Sequence, residues 1–286
     1  MESAVSASAR RSPAHLASAF LLAGVACSSG AQVVAPPPVV DIAVPAATGA
    51  AEAAEEEEAP VADDGMVWIA GGSFMMGSEG CDSDEKPVHK VVVRGFFLDA
   101  GEVTTEAYEG CARAGRCDAL ERAGRADAED DEARCNAGKA DRADHPMNCV
   151  TWAQADRFCK AHGKRLPTEQ EWEYAARGAK GRAYPWGDTF EAERACWDTE
   201  NGTCPGGSHR GGDTPEGLTD MAGNVWEWTA DHYCEYETPG CADAGYVDRG
   251  GGWVSDDPRL LHSAHRGRGE PESYASYLGF RCARER

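Results

Sequence analysis

The cysteines constrain what this chain can fold into more than any other feature of its sequence. Twelve cysteines occur in 286 residues, and the eleven that follow Cys27 are spread from Cys81 to Cys282. A cytosolic protein of this size rarely keeps so many thiols reduced, and no two of them form the Cys-x-x-Cys pair of a zinc ribbon. We therefore expect disulfides and export to an oxidising compartment. Because eleven is odd, at least one thiol is expected to stay free or to pair outside the chain.

The segment before Cys81 has the composition of an export signal followed by a tether. Arg10 and Arg11 precede a small, apolar run that is too short to span a bilayer and ends in Gly-Val-Ala-Cys27. Residues 1–27 are interpreted as a signal peptide with Cys27 as a candidate lipidation site; ordinary cleavage after Gly-Val-Ala is the alternative. Residues 28–65 carry eight acidic residues and no basic one, which favours a disordered tether. We expect a periplasmic or cell-envelope protein that contacts the membrane only through a lipid anchor.

The chain is strongly acidic. Its formal net charge is −21 at pH 7, and its isoelectric point is near 4.7. Nucleic acids and anionic membrane surfaces attract basic proteins, so both are excluded as partners.

The globular part, residues 66–286, combines short strands with three short helices. Strand patterns occur at residues 67–69, 74–76 and 89–93, and the last continues through 96–98. The helices are expected to begin at Thr105, Thr151 and Thr168 and to end at Gly115, Gly163 and Gly178. Gln154 and Glu171 complete capping boxes in the second and third helices. After Gly178 regular periodicity fades, which predicts an α+β fold with little regular secondary structure.

Seven stretches of this part occur in the order typical of one protein family. They are Val67-Trp-Ile-Ala-Gly-Gly-Ser-Phe-Met-Met-Gly77, Glu85-Lys-Pro-Val-His89, Gly101-Glu-Val-Thr-Thr105, Gly163-Lys-Arg-Leu-Pro-Thr-Glu-Gln-Glu-Trp-Glu-Tyr174, Tyr184-Pro-Trp-Gly187, Asp220-Met-Ala-Gly-Asn-Val-Trp-Glu-Trp228 and Leu278-Gly-Phe-Arg-Cys282. Residues 66–286 thus resemble the sulfatase-modifying factor family, whose founding activity is that of the formylglycine-generating enzyme. The resemblance implies an α+β, C-type-lectin-like fold.

The resemblance also indicates where the catalytic cysteines of that enzyme would stand. The enzyme oxidises a cysteine of a sulfatase peptide with oxygen and a copper(I) ion that two of its own cysteines hold. In this chain the two positions carry Ser255 and Leu260. Copper(I) is a soft ion selected by thiolates, whereas a hydroxyl is hard and leucine is no ligand. We therefore assign no catalytic residue and expect neither copper nor formylglycine synthesis.

A different use of Ser255, as a nucleophile with a neighbouring histidine and aspartate, is disfavoured. The candidate partners lie within ten residues of it, at His262, His265, Asp256 and Asp257. Nearness in sequence does not by itself give the geometry of a catalytic triad.

A hard-cation site is expected in the segment from Asp220 to Glu227. Its two carboxylates are seven positions apart with a glycine between them, and calcium prefers oxygen ligands. The resemblance implies that the Asp220 and Glu227 side chains and the Gly223 and Val225 carbonyls bind one calcium ion. The alternative is that Glu227 merely caps a turn between two core tryptophans.

The resemblance implies a disulfide between Cys159 and Cys282. It places a second family bridge at Ala176 and Ser263, where this chain has no cysteine. Two further pairs are near enough in sequence to close local loops, Cys196 with Cys204 and Cys234 with Cys241. The pairing of the others is left open: Cys81, Cys111, Cys117, Cys135 and Cys149.

Two main functions from different classes remain. In the first, the domain is a non-catalytic, monomeric module that has lost formylglycine synthesis and binds an exported peptide, protein or glycan. Aromatic and arginine side chains are typical of recognition surfaces. The expected groove residues are Trp226, Arg249, Trp253, Ser255, His262 and Arg266. The alternative is an oxidoreductase of the formylglycine-generating type acting on a protein cysteine or another substrate; a purely structural envelope role is a third hypothesis.

Overall fold

The computed structural model describes residues 64–80, 82–119, 134–238, 241 and 245–286. The interpreted signal peptide, the candidate lipidation site at Cys27, the tether up to residue 63 and Cys81 lie outside these ranges. Within them, no helix has both the length and the apolar character that crossing a bilayer requires.

Regular secondary structure is sparse and is divided among small sheets and short helices. The strands are β1 (Met66–Ile69), β2 (Gly72–Met76), β3 (His89–Val93), β4 (Phe96–Asp99), β5 (Trp226–His232), β6 (Tyr246–Arg249), β7 (Arg266–Gly269), β8 (Leu278–Gly279) and β9 (Ala283–Arg284). The helices are α1 (Thr105–Arg113), α2 (Trp152–Ala161) and α3 (Glu169–Arg177). Among the described residues, the sheets have the strand orders β1-β4-β9, β2-β3 and β7-β6-β5-β8. The expected α+β class is confirmed.

The strands before the first helix follow the pattern read from the sequence. In the antiparallel pair β2–β3, Phe74 and Met76 face Val91 and His89 across the ladder, and alternate residues are buried. Val92, between two buried valines, is exposed. This period-two burial is that of a sheet with one face on the core and one in water.

Each helix begins at a threonine cap. Thr151 and Thr168 each accept a hydrogen bond from the backbone N–H three residues on, and the side chains of Gln154 and Glu171 bond back, so both expected capping boxes are present. The first helix begins at Thr105 as expected, while its cap is the preceding residue, Thr104. The third helix is buried nearly all round, which brings its glutamates into the interior.

The four-stranded sheet β7-β6-β5-β8 contains one strand, β7, whose sequence is not typical of strands. Strand β7 reads Arg-Gly-Arg-Gly and lacks the β-branched and aromatic residues that favour strands. Packing explains its glycines: a β-carbon on Gly267 would collide with the carboxylate of Asp248, and one on Gly269 would collide with the ring of Trp228. The bare backbone of β7 therefore leaves room for two larger side chains of the same sheet.

Five disulfides cross-link the described residues: Cys111–Cys117, Cys135–Cys149, Cys159–Cys282, Cys196–Cys204 and Cys234–Cys241. Cys159 is bonded to Cys282 as the resemblance implies, and this bond ties α2 to the segment just before β9. The two expected local pairs are also present. The first two bonds settle most of the pairing that the sequence leaves open. At the position of the second family bridge, Ala176 and Ser263 are fully buried.

Candidate binding pocket

A pocket of about 330 Å³ opens beside the four-stranded sheet. Its lining residues are Trp226, Asp248, Val254, Ser255, Leu260, Arg268, Gly269, Ser273, Tyr277 and Leu278. Every strand of the sheet contributes to it, and the segment after the glycine run supplies much of the remaining wall. The pocket therefore combines aromatic, aliphatic and charged groups on a fixed scaffold, as ligand sites commonly do.

Ser255 and Leu260, the positions at which the resemblance places the catalytic cysteines, both line this pocket. Ser255 is only 3% exposed, and its hydroxyl accepts a hydrogen bond from the backbone N–H of Gly252 at 3.1 Å. Leu260 is held by the short turn Pro258–Leu261, which Asp257 caps. The two positions that the resemblance singles out in the sequence therefore line one pocket.

The glycines before Ser255 allow a backbone conformation that other residues rarely adopt. Gly250 and Gly251 have φ angles of 99° and 72°, a region that favours glycine. A β-carbon on Gly251 would also lie 2.7 Å from the carbonyl oxygen of Leu260. No hydrogen bond joins the Ser255 hydroxyl to a histidine in the described residues, so the structure supplies no triad there.

Two arginines expected in the groove lie in the interior instead, and their assignment is corrected. Arg249 is fully buried, with its Nη2 atom 2.6 Å from Glu169 Oε1 and 2.8 Å from Glu173 Oε2. Arg266 bonds both oxygens of Glu169. Burial alone would raise the pKa of Glu173, but Arg249 and then Arg177 bring it below its usual value. These ion pairs fasten α3 to strands β6 and β7, both of which contribute lining residues to the pocket.

Trp253 and His262 are likewise buried away from the pocket lining. The Trp253 indole donates to the carbonyl oxygen of Ser276 at 3.0 Å. Burial, followed by the charge of Arg177, lowers the pKa of His262 to about 4. Of the six expected groove residues, the structure brings only Trp226 and Ser255 to the described pocket.

The pocket contains a carboxyl group that the sequence analysis missed. Asp248 lies on β6 and is 7% exposed, and its side chain accepts no hydrogen bond from the described residues. Burial raises the pKa of Asp248 to about 7, although the charge of Arg249 opposes the shift. The available signal was the run Val-Asp-Arg in β6, where an aspartate occupies a buried strand. A pocket carboxyl that titrates near neutrality can bind a cation or exchange a proton.

The residues expected to bind calcium form part of an acidic cluster. Both oxygens of Glu227 accept hydrogen bonds from Arg281, at 2.7 Å each, and Oε2 also accepts one from the Trp172 indole. The backbone N–H of Gly207 donates to Asp220 Oδ2 at 2.6 Å. A calcium ion would have to share Glu227 with a guanidinium group. The arrangement therefore does not present Glu227 as a free ligand.

The charge of the same cluster nevertheless suits a cation. Burial raises the pKa of Glu102 well above its usual value, and the neighbouring Asp220 and Glu227 add to this shift while Arg281 opposes it. Three carboxyl groups thus lie near one arginine. Gly223 has a φ of 87° and packs against the carbonyl of Cys196, which fixes the turn between the acids. Calcium at Asp220, Gly223, Val225 and Glu227 stays a prediction.

Comparison with known proteins identifies the family. A family model described as the sulfatase-modifying factor enzyme 1-like domain matches residues 50–286. The formylglycine-generating enzyme of Streptomyces coelicolor is 33% identical to this chain, over 85% of the chain and 96% of that enzyme. The inactive C-alpha-formylglycine-generating enzyme 2 of Bos taurus is 32% identical, over 76% of the chain and 87% of that protein.

A third relative is much longer. The serine/threonine-protein kinase pkn1 of Chlamydia pneumoniae is 38% identical over 82% of this chain, which spans 40% of that kinase. The solved structure of PvdO from Pseudomonas aeruginosa has the same fold, with a TM-score of 0.62 and 28% identity over 77% of this chain and 94% of that one. Motif order, fold and matched length agree: the chain belongs to the sulfatase-modifying factor family and has its α+β, C-type-lectin-like fold.

Proposed function

We propose that this protein is a non-catalytic member of the family that binds a positively charged segment of an exported peptide or protein. One observation carries the proposal: Ser255 and Leu260, which the resemblance places at the two thiol positions of the family enzyme, line one pocket. Without a thiolate pair, the pocket offers no soft ligands for copper(I) and no thiol for exchange with a substrate cysteine. The function proposed for this pocket is therefore ligand binding without chemistry.

The lining supports a cationic ligand. Trp226 and Tyr277 provide aromatic faces, and Asp248 provides an otherwise unbonded carboxylate beside them. A lysine or arginine side chain between these groups would gain an ion pair and a cation–π contact. Arg268 also lines the pocket, but its guanidinium is 2.8 Å from Glu270, which offsets its charge.

Export of the protein is a second part of the proposal. The disulfides of the described residues support an oxidising compartment, because cytosolic thiols are kept reduced. A lipid anchor at Cys27 and a monomeric state are part of the proposal. Palmitate labelling of the wild type that is lost in Cys27→Ala supports the anchor; unchanged labelling in that variant contradicts it.

The pocket proposal is tested with a Cys-x-Pro-x-Arg peptide and the same peptide carrying citrulline in place of arginine. We expect calorimetry to detect binding of the first peptide and at least about tenfold weaker binding of the second, since the charge-assisted bond is lost. Asp248→Asn should remove the difference between the peptides. Asp256→Asn, the same change at an exposed position of the pocket loop, is the matched control.

Mass spectrometry after incubation with copper and a reductant distinguishes the non-catalytic proposal from its alternative, an oxidoreductase of the formylglycine-generating type. An aldehyde on the peptide would establish the oxidoreductase and refute the non-catalytic proposal. Equal binding of both peptides, or of neither, would refute the cationic ligand.

A further inference from the structure

Three metal-ligating side chains converge outside the pocket and the acidic cluster. Asp82 precedes and Glu85 ends a one-turn 3-10 helix that leads into β3, and His265 immediately precedes β7. The Nδ1 atom of His265 lies 3.4 Å from Asp82 Oδ2 and 3.4 Å from Glu85 Oε1. The three ligand atoms all lie within 4.8 Å of one another.

Glu85 is the member of this group that requires an explanation. Its side chain is fully buried, and neither oxygen has a hydrogen-bond partner among the described residues. The Nδ1 atom of His265 is also buried without a hydrogen bond there. Burying a carboxylate without donors costs several kcal/mol, so native structures normally pair such groups or place a metal ion beside them.

The distances fit a metal ion better than a direct hydrogen bond. A contact of 3.4 Å between nitrogen and oxygen exceeds the usual range of about 2.7–3.2 Å for a hydrogen bond. Two ligand atoms bound to one tetrahedral zinc ion at about 2.0–2.1 Å lie about 3.4 Å apart. Both contacts of His265 have this separation.

Neighbouring bonds hold the two segments together. Arg266, next to His265, donates to the carbonyl oxygen of Asp84 at 2.9 Å, and the Tyr233 hydroxyl donates to the Asp84 carboxylate. The carbonyl oxygen of His265 accepts a hydrogen bond from Arg249 at 3.2 Å. The backbone of both ligand segments is therefore fixed independently of any ion, as a preformed site requires.

We propose that Asp82, Glu85 and His265 bind one divalent transition-metal ion of the zinc class. The imidazole favours such an ion over calcium or magnesium, which prefer oxygen ligands alone. Asp82 is mostly exposed and provides the route of entry, and water completes the coordination. A second group with suitable spacing contains Cys196, Cys204 and His209, but its two cysteines are bonded to each other and are not thiolate ligands.

The test is a calorimetric titration of the tag-free, chelator-treated full chain with zinc chloride. One equivalent should bind, and cobalt(II) at the same site should give the visible absorption of a tetrahedral complex. His265→Gln and Asp82→Asn should each weaken zinc binding at least about tenfold. His209→Gln is the matched control and should bind as the wild type does.

A change of the buried Glu85 would disturb folding, so the folding control uses a variant of Asp82 instead. Asp82→Asn changes an exposed side chain, so its melting temperature without metal should equal that of the wild type, while the zinc-induced rise in melting temperature is lost. Absence of zinc binding by the wild type, or binding that His265→Gln and Asp82→Asn leave unchanged, would overturn the proposal. The contacts of His265 with Asp82 and Glu85 would then be direct ones.

Discussion

The parts of the domain before and after Gly178 both contain apolar cores, but they differ in how much buried ion pairs add to them. Before it, apolar side chains pack from capped helices; Tyr108 and Phe158, for example, stack with their ring centroids 5.5 Å apart. After it, buried arginines are bonded to carboxylates, and the counter-charges of two of them, Arg249 and Arg266, come from α3. The glycine-rich part thus depends on charges supplied by the helical part. These ion pairs therefore link the two parts.

The largest effect is expected from the covalent link between the two parts. Replacing Cys159 and Cys282 by serine opens a loop with a separation of 123 residues and should lower the free energy of unfolding by about 5 kcal/mol. The matched change at Cys234 and Cys241, separated by 7 residues, should cost about 2 kcal/mol. Guanidinium unfolding measures both, and equal losses would contradict the loop-entropy explanation.

Breaking the ionic link should cost nearly as much. Arg249→Met leaves Glu173 buried without one of its two arginines and should destabilise the protein by about 3–5 kcal/mol. Arg113→Met, which removes an exposed pair with Glu109, should cost less than about 1 kcal/mol. Similar unfolding midpoints for the two variants would argue against a structural role of the buried charges.

Asp248, which lies in the glycine-rich part, should make the free energy of unfolding of the domain depend on pH. Its folded pKa of about 7 lies above the ordinary value of 3.8, so between these values the folded state binds the extra proton. The free energy of unfolding should therefore fall as pH rises from about 4 to 7, by up to about 1.4 kcal/mol per pH unit. Asp248→Asn should flatten this dependence in urea unfolding measured across that range. An unchanged slope would show that the carboxyl ionises normally.

Calcium removal should have a smaller effect. If the acidic cluster binds calcium, excess chelator should lower the melting temperature, by an amount equivalent to about 3 kcal/mol when calcium is supplied at 100 times its dissociation constant. Asp220→Asn tests this better than a change of Glu227, whose loss would strand Arg281 without its carboxylate. A wild-type melting curve that chelator does not alter would exclude the site.

Introducing cysteines at Ser255 and Leu260 should have the smallest effect on the free energy of unfolding. It should, however, give the pocket a new metal-binding property. The double variant Ser255→Cys, Leu260→Cys should gain copper(I) binding, because two soft ligands would then line one pocket. Either single variant should bind copper(I) far more weakly. Competition with a chromogenic copper(I) chelator measures the difference, and no gain in the double variant would mean that the two positions are not aligned for chelation.

Local signals explain what the sequence predicted well. The capping boxes at Thr151 and Thr168 each involve residues three positions apart, and the period-two burial of β2 and β3 is visible within five residues. The Cys159–Cys282 bond came from the resemblance, since spacing alone cannot pair cysteines. The resemblance also drew Ser255 and Leu260 together, and both line the pocket.

Long-range contacts explain what the sequence did not predict. The sequence suggests a groove position for Arg249 and Arg266 because it does not show their partner Glu169, which lies 80 and 97 residues away. The strand character of β7 depends on Asp248 and Trp228 occupying the space above its glycines. The sequence does not single out Asp248, because its environment, rather than its neighbours in sequence, shifts its pKa.

The order of strands in the first sheet has a consequence for biosynthesis. Strand β4 lies between β1 and β9, so Phe97 and Leu98 pair with Arg284 and Ala283 across almost the whole domain. A nascent chain cannot form that pairing until residues 283–284 have been synthesised, almost the whole domain after β4. Until then β4 presents an unpaired edge, which is prone to pairing with other chains. The edge of β4 is covered only once residues 283–284 are free to pair with it.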